Sequence, residues 1–448
     1  WALALQKRDL DYLHFVHTQK RFYPKRSLTA VLTGFTDAKN QGAYGMEDVC
    51  DEHLRPQDGS VRYMHVQGQR EEKLLFAEYQ EETPLDGKDV YLTIDEHIQH
   101  IVTSELRRMV REYEPAYACA IMADPRTGEI LAMVQEPTYD PNDRAAMDPS
   151  RWRNRIVSEV YHPGSTMKAI TICGALQYGE VTLDSEVFCE DGLWWHRGKP
   201  LRDSHAFGWL TVAEIIEHSS NIGTAKCALA LGQRRMYQTL RRFGFGRPSG
   251  LEFPFESAGL LPSLAKWDPL STSRFSFGQG LAVTPLQMVQ AYCALANRGR
   301  LCQLHLIDRV IDPATGEVVH QSRPKVKQLA AGPTAVADTV TALKLVTGPE
   351  GTATKAAIDG YEVAGKTGTS EKLFNGSYKG HNKYVASFVG FVPADDPAFV
   401  LLVIADEPDP EKSYYGGTVC GPVFRRIGTR TLKHLNVDPL VAGRGRPR

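Results

Sequence analysis

Pro163-Gly164-Ser165-Thr166-Met167-Lys168, followed by Ala169-Ile170-Thr171-Ile172-Cys173, is the stretch around which this chain is organised. It reads as a turn that delivers a serine to the first turn of a buried helix. Ser165 and Lys168 are three residues apart, so on a helix they share a face, with side chains in reach of one another. A serine hydroxyl is a weak nucleophile until a base takes its proton. A lysine serves as that base when burial or a neighbouring cation lowers its pKa.

S-x-x-K alone is a common pattern, with about one or two chance occurrences expected in a chain this long. Two more are present, Ser263-Leu264-Ala265-Lys266 and Ser322-Arg323-Pro324-Lys325. The first runs straight into Trp267-Asp268-Pro269, which leaves no room for an anchoring helix. The proline of the second opposes a helix interior. Only Ser165 is followed by a long apolar segment, which ends near Gly179.

Two companions follow it in order. Ser219-Ser220-Asn221 comes just after the apolar helix Val212 to Ile216, where a helix end presents side chains. Lys366-Thr367-Gly368-Thr369 continues a strand read over Tyr361-Glu362-Val363-Ala364-Gly365. K-T-G is expected by chance in about one chain in ten of this length, so the ordered trio of S-x-x-K, S-x-N and K-T-G is informative where each part is not. It is the set used by penicillin-binding proteins and class A β-lactamases. Lys366 and Lys168 facing one cleft disfavour each other's charge, which keeps Lys168 neutral and basic. Ser219 is placed to relay a proton to a leaving amine, and Asn221 to hold a substrate amide. Thr367 and Thr369 alternate along a strand, point the same way and are expected to grip a terminal carboxylate. Gly368 leaves the substrate backbone unobstructed, and the backbone N–H groups of Ser165 and Thr369 are the expected oxyanion hole.

Composition is that of an ordinary globular protein: 448 residues, 42% hydrophobic and 23% charged, with a formal net charge of -1. That length accommodates one large domain plus a smaller one, and the charge gives no basic field for nucleic acid. No apolar run is long enough to span a membrane. The chain opens at Trp1 without an initiator Met or a signal peptide, which predicts a fragment whose missing start holds an anchor. Eight cysteines form no C-x-x-C pair, so zinc-site spacing is absent. Cys293 and Cys302 flank a turn and are the pair placed to bridge. His97 with His100, and His14 with His17, lack an acidic or thiol partner and read as surface pairs rather than metal ligands. Arg107-Arg108 and Arg234-Arg235 read as solvated helix faces. No Walker-type glycine loop is present.

Along the chain, Leu3, Leu10, Leu13 and Val16 predict an amphipathic helix over residues 1 to 20. Residues 21 to 82 read as an extended accessory module, closed by the turn signal Pro84-Leu85-Asp86-Gly87. A strand over Val90 to Ile94 leads to Asp95, the expected cap of a helix carrying Ile98, Ile101, Val102, Leu106 and Met109. Ala116 to Ala123 and Glu129 to Val134 read as a hairpin about Asp124-Pro125-Arg126-Thr127-Gly128, a turn nearly copied at Asp312 to Glu317. Residues 165 to about 300 read as mostly helical. Strands return at Val385 to Val392 and Phe399 to Ala405, before a closing helix over Val423 to Leu435. Strands at both ends with helices between predict an antiparallel sheet flanked by helices, an α+β fold.

Over nearly its whole length the chain resembles the class B penicillin-binding proteins, the monofunctional peptidoglycan D,D-transpeptidases. Asn154-Arg155 ahead of Tyr161-His162-Pro163-Gly164-Ser165 resembles the family's approach to its nucleophile, with His162 where an acidic residue is common. Phe277-Gly278-Gln279-Gly280 with Val283-Thr284-Pro285-Leu286-Gln287, and then Ala294-Leu295-Ala296-Asn297, is similar to the segment lining the cleft. Gly351-Thr352-Ala353 precedes the K-T-G strand as the family implies, and Ser370 stands where alanine is more usual. Tyr414-Tyr415-Gly416-Gly417 with Gly421-Pro422-Val423-Phe424 resembles the cell-division subgroup more than the elongation subgroup. Arg21-Phe22-Tyr23-Pro24 and Gly42-Ala43-Tyr44-Gly45-Met46-Glu47 resemble the N-terminal pedestal.

The resemblance implies a partial pedestal over 1–85 and a transpeptidase domain over 86–448. It implies a serine acyl-enzyme formed on D-Ala-D-Ala stem peptides, acylation by β-lactams, and no cofactor or metal. The implied partners are a membrane glycosyltransferase and divisome proteins, and the implied place is the extracytoplasmic face of the cytoplasmic membrane. A β-lactamase is usually smaller and needs an extra deacylating base, which the sequence does not identify. A non-catalytic β-lactam-binding scaffold, a D-Ala-D-Ala carboxypeptidase, and an elongation or sporulation transpeptidase share the same motifs.

Overall fold

The computed structural model describes residues 19–61, 64–65, 73–74, 81–372 and 382–439. Apart from residues 19 and 20, the helix expected at the start lies outside them, as do His14 and His17. Among the described residues no helix is long and apolar enough to cross a membrane.

Strand β1 (Asp89–Leu92) leads to helix α1 (Glu96–Tyr113), whose first turn is capped by Asp95. That carboxylate accepts the N–H groups of His97 and Ile98 at 2.8 and 3.0 Å. Ile98, Ile101, Val102, Leu106 and Met109 form its buried stripe, as their spacing predicts. Strands β2 (Tyr117–Ala123) and β3 (Ile130–Glu136) form the expected hairpin. In its turn the Asp124 N–H donates to Glu129 O and the Gly128 N–H to Asp124 O. Asp312 and Gly316 repeat both bonds between the strands Ile307–Ile311 and Val318–Gln321, so one turn chemistry serves twice.

Helix α2 (Lys168–Gln177) starts where the 3₁₀ turn Gly164–Met167 ends and is buried on nearly every side. The stretch read as helical then departs from expectation. It holds a hairpin of β4 (Leu193–His196) and β5 (Lys199–Arg202), and a second pairing of Glu186–Phe188 with Trp209–Thr211. Strands of three or four residues are too short to show a clear period of two. Helices α3 (Val212–Glu217), α4 (Asn221–Leu231), α5 (Pro285–Ala296) and α6 (Pro333–Leu345) follow. Strand β6 (Ala364–Glu371) begins three residues later than the sequence reading. Tyr361 makes only an isolated bridge to Ile358, and Glu362 O is held by the Ala394 N–H of a loop. Strands β7 (Tyr384–Val392) and β8 (Phe399–Asp406) and the closing helix α7 (Gly421–His434) fall where expected.

The five long strands make one antiparallel sheet in the order β6-β7-β8-β2-β3, which leaves β6 at an edge. Helices α1 and α7 pack together, α1 against β2 and β3 and α7 against β7 and β8. Helix α5 packs against the central strands, and α2, α4 and α6 form the adjoining helical layer. The architecture is α+β, as expected.

Part of the N-terminal segment is laid against this body. Leu32, Met46 and Cys50 belong to the main core. Arg21 and Glu47, from the two pedestal-like motifs, form a bidentate pair at 2.8 and 2.9 Å. Tyr44 Oη accepts the Asn154 N–H at 2.8 Å, joining that segment to the approach to Ser165. All eight cysteines are buried free thiols. Cys293 and Cys302 therefore form no bridge, and Cys302 Sγ instead lies 3.3 Å from Asn297 Nδ2. Elsewhere, His97 stacks on His434, while Arg107 and Arg235 pair with Glu136 and Glu180.

Candidate active site

The turn Gly164–Met167 is built to a fixed shape. Gly164 has a φ of +56°, which glycine adopts without a steric penalty. Thr166 Oγ1 donates to Pro163 O at 2.8 Å, and the buried Tyr292 hydroxyl donates to Thr166 O at 2.9 Å. Behind the turn, a methyl group on Gly278 would lie 2.3 Å from Gly164 O, and the Gly164 N–H donates to Gly278 O. The Phe277–Gly280 segment is therefore a buttress for the turn. Its residues are not among those described as lining the cleft.

Lys168 is fully buried, and its Nζ donates to Ser219 O and lies 3.1 Å from Ser219 Oγ. Its described hydrogen bonds go to Ser219, not to Ser165. Burial pushes Lys168 down to about 7, with Asp203 and Cys189 opposing the fall. Lys366 is also fully buried, with no hydrogen-bond partner for Nζ among the described residues. Burial and then the charge of Lys168 hold it well below the usual lysine range. The mutual repulsion expected between the two lysines thus acts after desolvation, and it is on Lys366 that it is felt.

Ser219 sits between α3 and α4 with a φ of +62°, a left-handed conformation that costs a serine roughly 1–2 kcal/mol. Ser220 caps α4, its Oγ accepting the Gly223 N–H at 2.9 Å. Asn221 Nδ2 donates to Arg202 O at 2.8 Å.

Edge strand β6 closes the other side. Thr367 and Thr369 line the cleft together, as alternation predicts. Thr367 Oγ1 lies 3.3 Å from Thr352 Oγ1, and Thr369 Oγ1 accepts the Gly416 N–H at 3.0 Å. Gly368 turns away from the cleft. A methyl group there would lie 2.3 Å from Ser387 Oγ, 3.0 Å from Pro163 O and 3.1 Å from Thr166 Cγ2. Its missing side chain admits the nucleophile turn, which corrects the reading that it clears the substrate backbone. Ser370 faces the same way, its Oγ donating to His162 O at 2.7 Å, so this position fastens strand to turn. A methyl group on Gly164 would lie 3.5 Å from Thr369 O, so the peptide edge of Thr369 faces the turn.

The cleft between these elements has a volume of about 420 Å³. Ser165, Ser219, Asn221, Thr367 and Thr369 line it, with the two lysines buried behind them. The sequence reading missed His205, His218 and Lys355 on its walls, and read the exposed Tyr415 there as a mark of subgroup and not as a cleft residue. It also missed Asp203, whose carboxylate accepts the Ser220 hydroxyl and the backbone N–H groups of Asn221 and Ile222. None of the four missed residues belongs to a spaced motif, and only the tertiary fold brings them to the site. No carboxylate lies among the described lining residues, so the cleft suits a ligand with an anionic end. Among the described residues no cluster of His, Cys, Asp and Glu is arranged to hold a metal ion.

Residues 118–429 match the penicillin binding protein transpeptidase domain. The chain is 34% identical over 441 residues to the probable peptidoglycan D,D-transpeptidase PenA of Neisseria gonorrhoeae, covering 98% of this chain and 72% of that protein. It is 34% identical to the peptidoglycan D,D-transpeptidase FtsI of Escherichia coli K12, covering 97% and 71%. It is equally 34% identical to stage V sporulation protein D of Bacillus subtilis, covering 98% and 68%. Among solved structures, penicillin binding protein 3 of Mycobacterium tuberculosis complexed with ampicillin aligns with a TM-score of 0.83 at 29% identity, covering 96% of this chain and 92% of that one. With its motifs gathered at one cleft and this match over most of its length, the chain belongs to the penicillin-binding protein transpeptidase family.

Proposed function

We propose that the protein is a class B peptidoglycan D,D-transpeptidase that works through an acyl-enzyme on Ser165. The observation that carries this reading is the buried Lys168, held near neutrality three residues from Ser165 and bonded to Ser219. Ser165 Oγ attacks the carbonyl of the D-Ala-D-Ala bond while neutral Lys168 takes its proton. The developing oxyanion is met by the backbone N–H groups of Ser165 and Thr369. Support for the second comes from the edge position of β6 and from the Thr369 peptide facing the turn. As the C–N bond breaks, the proton returns through Ser219, with Lys366 beside it, to the amine of departing D-alanine. Thr367 and Thr369 bind the terminal carboxylate, Gly368 gives the strand its fit to the turn, and Asn221 holds the peptide. An amine of a second stem then attacks the acyl carbonyl, which forms the cross-link and frees Ser165.

Residues 1–85 serve as a partial pedestal and 86–448 as the transpeptidase domain. The role is septal, on the Tyr414-Tyr415-Gly416-Gly417 motif, whose Gly416 bonds Thr369. The enzyme works on the extracytoplasmic face of the cytoplasmic membrane, anchored by a segment ahead of Trp1. A membrane glycosyltransferase and divisome proteins are its partners. The test is labelling with a fluorescent penicillin, following formation and decay of the adduct. A long-lived adduct that is absent in a folded Ser165→Ala variant is expected. Rapid turnover points to a β-lactamase, and no adduct on the folded protein points to a scaffold.

A further inference from the structure

Ser219 meets Lys168 while held in a conformation that serine disfavours. What holds it lies outside the three motifs. The hairpin β4–β5 ends at Arg202, and the next residue, Asp203, places its carboxylate against the start of α4. Oδ2 accepts the Ser220 hydroxyl at 2.6 Å. Oδ1 accepts the Asn221 N–H and, at 3.1 Å, the Ile222 N–H. Arg202 O takes the Asn221 side-chain amide. With the Gly223 N–H on Ser220 Oγ, three of the four unpaired N–H groups at this helix start are accounted for, two of them by one carboxylate. Both residues that follow Ser219 are thus pinned, and the Ser220 N–H is pinned to Ile215 O.

We infer that Asp203 is a positioning residue for acyl transfer: it clamps Ser220 and the first turn of α4, so that Ser219 is held in its left-handed conformation against Lys168, and it supplies the anion that faces that buried amine. The inference rests on the reading of Lys168 as the base for Ser165. Among the described residues, the titratable groups that act on Lys168 or feel its charge are Asp203 after β5, Cys189 before β4 and Lys366 on β6. The Cys189 thiol is pushed up by burial and stays neutral near pH 7, so Asp203 is the anion among them. A carboxylate near a buried amine favours its protonated form. With that charge removed, Lys168 becomes neutral at lower pH.

The experiment compares the wild-type enzyme with Asp203→Asn and Asp203→Ala, using the second-order rate constant for acylation by a fluorescent penicillin from pH 5.5 to 9. Thermal unfolding is measured in parallel. Asparagine keeps an oxygen for the backbone N–H groups and removes the charge. Its acid limb is expected to move to lower pH by about half a unit or more. Alanine removes the clamp as well and is expected to lower the plateau rate by about tenfold or more. A purely structural residue would change the plateau and leave the limb in place. The inference is overturned if Asp203→Asn leaves the limb unmoved, or if folded Asp203→Ala acylates at the wild-type rate. Unfolding of the alanine variant leaves the asparagine profile to decide. Failure of the proposed function would show separately, as acylation that survives Ser165→Ala.

Discussion

Gly368→Ala tests the contact between the K-T-G strand and the nucleophile turn. The new methyl group would sit 2.3 Å from Ser387 Oγ, 3.0 Å from Pro163 O and 3.1 Å from Thr166 Cγ2. Ser387 is buried, so its hydroxyl turns aside only into packed surroundings. Pro163 O is backbone, two residues before Ser165, and it already accepts the Thr166 hydroxyl. Restoring ordinary contact requires strand and turn to separate by a few tenths of an ångström. Overpacking of this kind costs about 1–3 kcal/mol. A 1 Å misplacement at a reacting centre costs about a hundredfold in rate, so a third to a half of that costs roughly five- to tenfold. The expected result is a lower Tm together with penicillin acylation slowed by about an order of magnitude. If Gly368 merely leaves room for substrate, Tm is unchanged and only the affinity for bulky ligands falls. Unchanged Tm and unchanged acylation by a small penicillin would refute the packing argument.

Two further outcomes are expected. With Lys168 at about 7, its neutral fraction is about one tenth at pH 6 and about nine tenths at pH 8, so acylation should rise about tenfold between them; a flat profile removes Lys168 as the base. That folded value lies below the value of about 10.4 for an unfolded lysine. Between the two the unfolded chain binds more protons, so this residue's contribution to stability rises with pH over that window. Lys366→Met exchanges a buried amine, without a partner among the described residues, for a thioether of similar length. It should stabilise the fold by about 1–3 kcal/mol in chemical denaturation while lowering acylation by about a hundredfold. A destabilised variant would show that Nζ is satisfied in solution.

The sequence carried the parts of this molecule that depend on neighbours in the chain. Asp95 and the stripe from Ile98 to Met109 define α1, and the two Asp-Pro-x-Thr-Gly turns define their hairpins, because capping and turn bonds span only a few residues. Ser165 with Lys168, Ser219 with Asn221, and Thr367 with Thr369 were legible because each pair lies within one local element. What joins the elements was not. Asp203 acts on residues 17 to 19 positions away, through a hairpin too short to announce itself in a helical stretch. Gly368 looked like a substrate contact because strand alternation says which residues share a face, not what covers it. The N-terminal motifs gave no sign that Tyr44 would bond Asn154, since a hydrogen bond across 110 residues leaves no periodic trace.

The edge position of β6 has a consequence for the protein outside its chemistry. An outer strand of eight residues carries a row of unpaired peptide groups that would accept any extended chain, including a second copy of itself. Here the Pro163–Gly164 turn lies against Gly368, Thr369 and Ser370, and Gly416 and Gly417 close on the sheet nearby. These contacts shorten the open edge, which leaves less of it for the long ladders from which aggregates grow. On the proposed function, a sheet edge kept open for a peptide terminus gains colloidal safety from the walls of its own cleft. Mutations that loosen those walls to admit larger ligands should be expected to reduce solubility before they abolish folding.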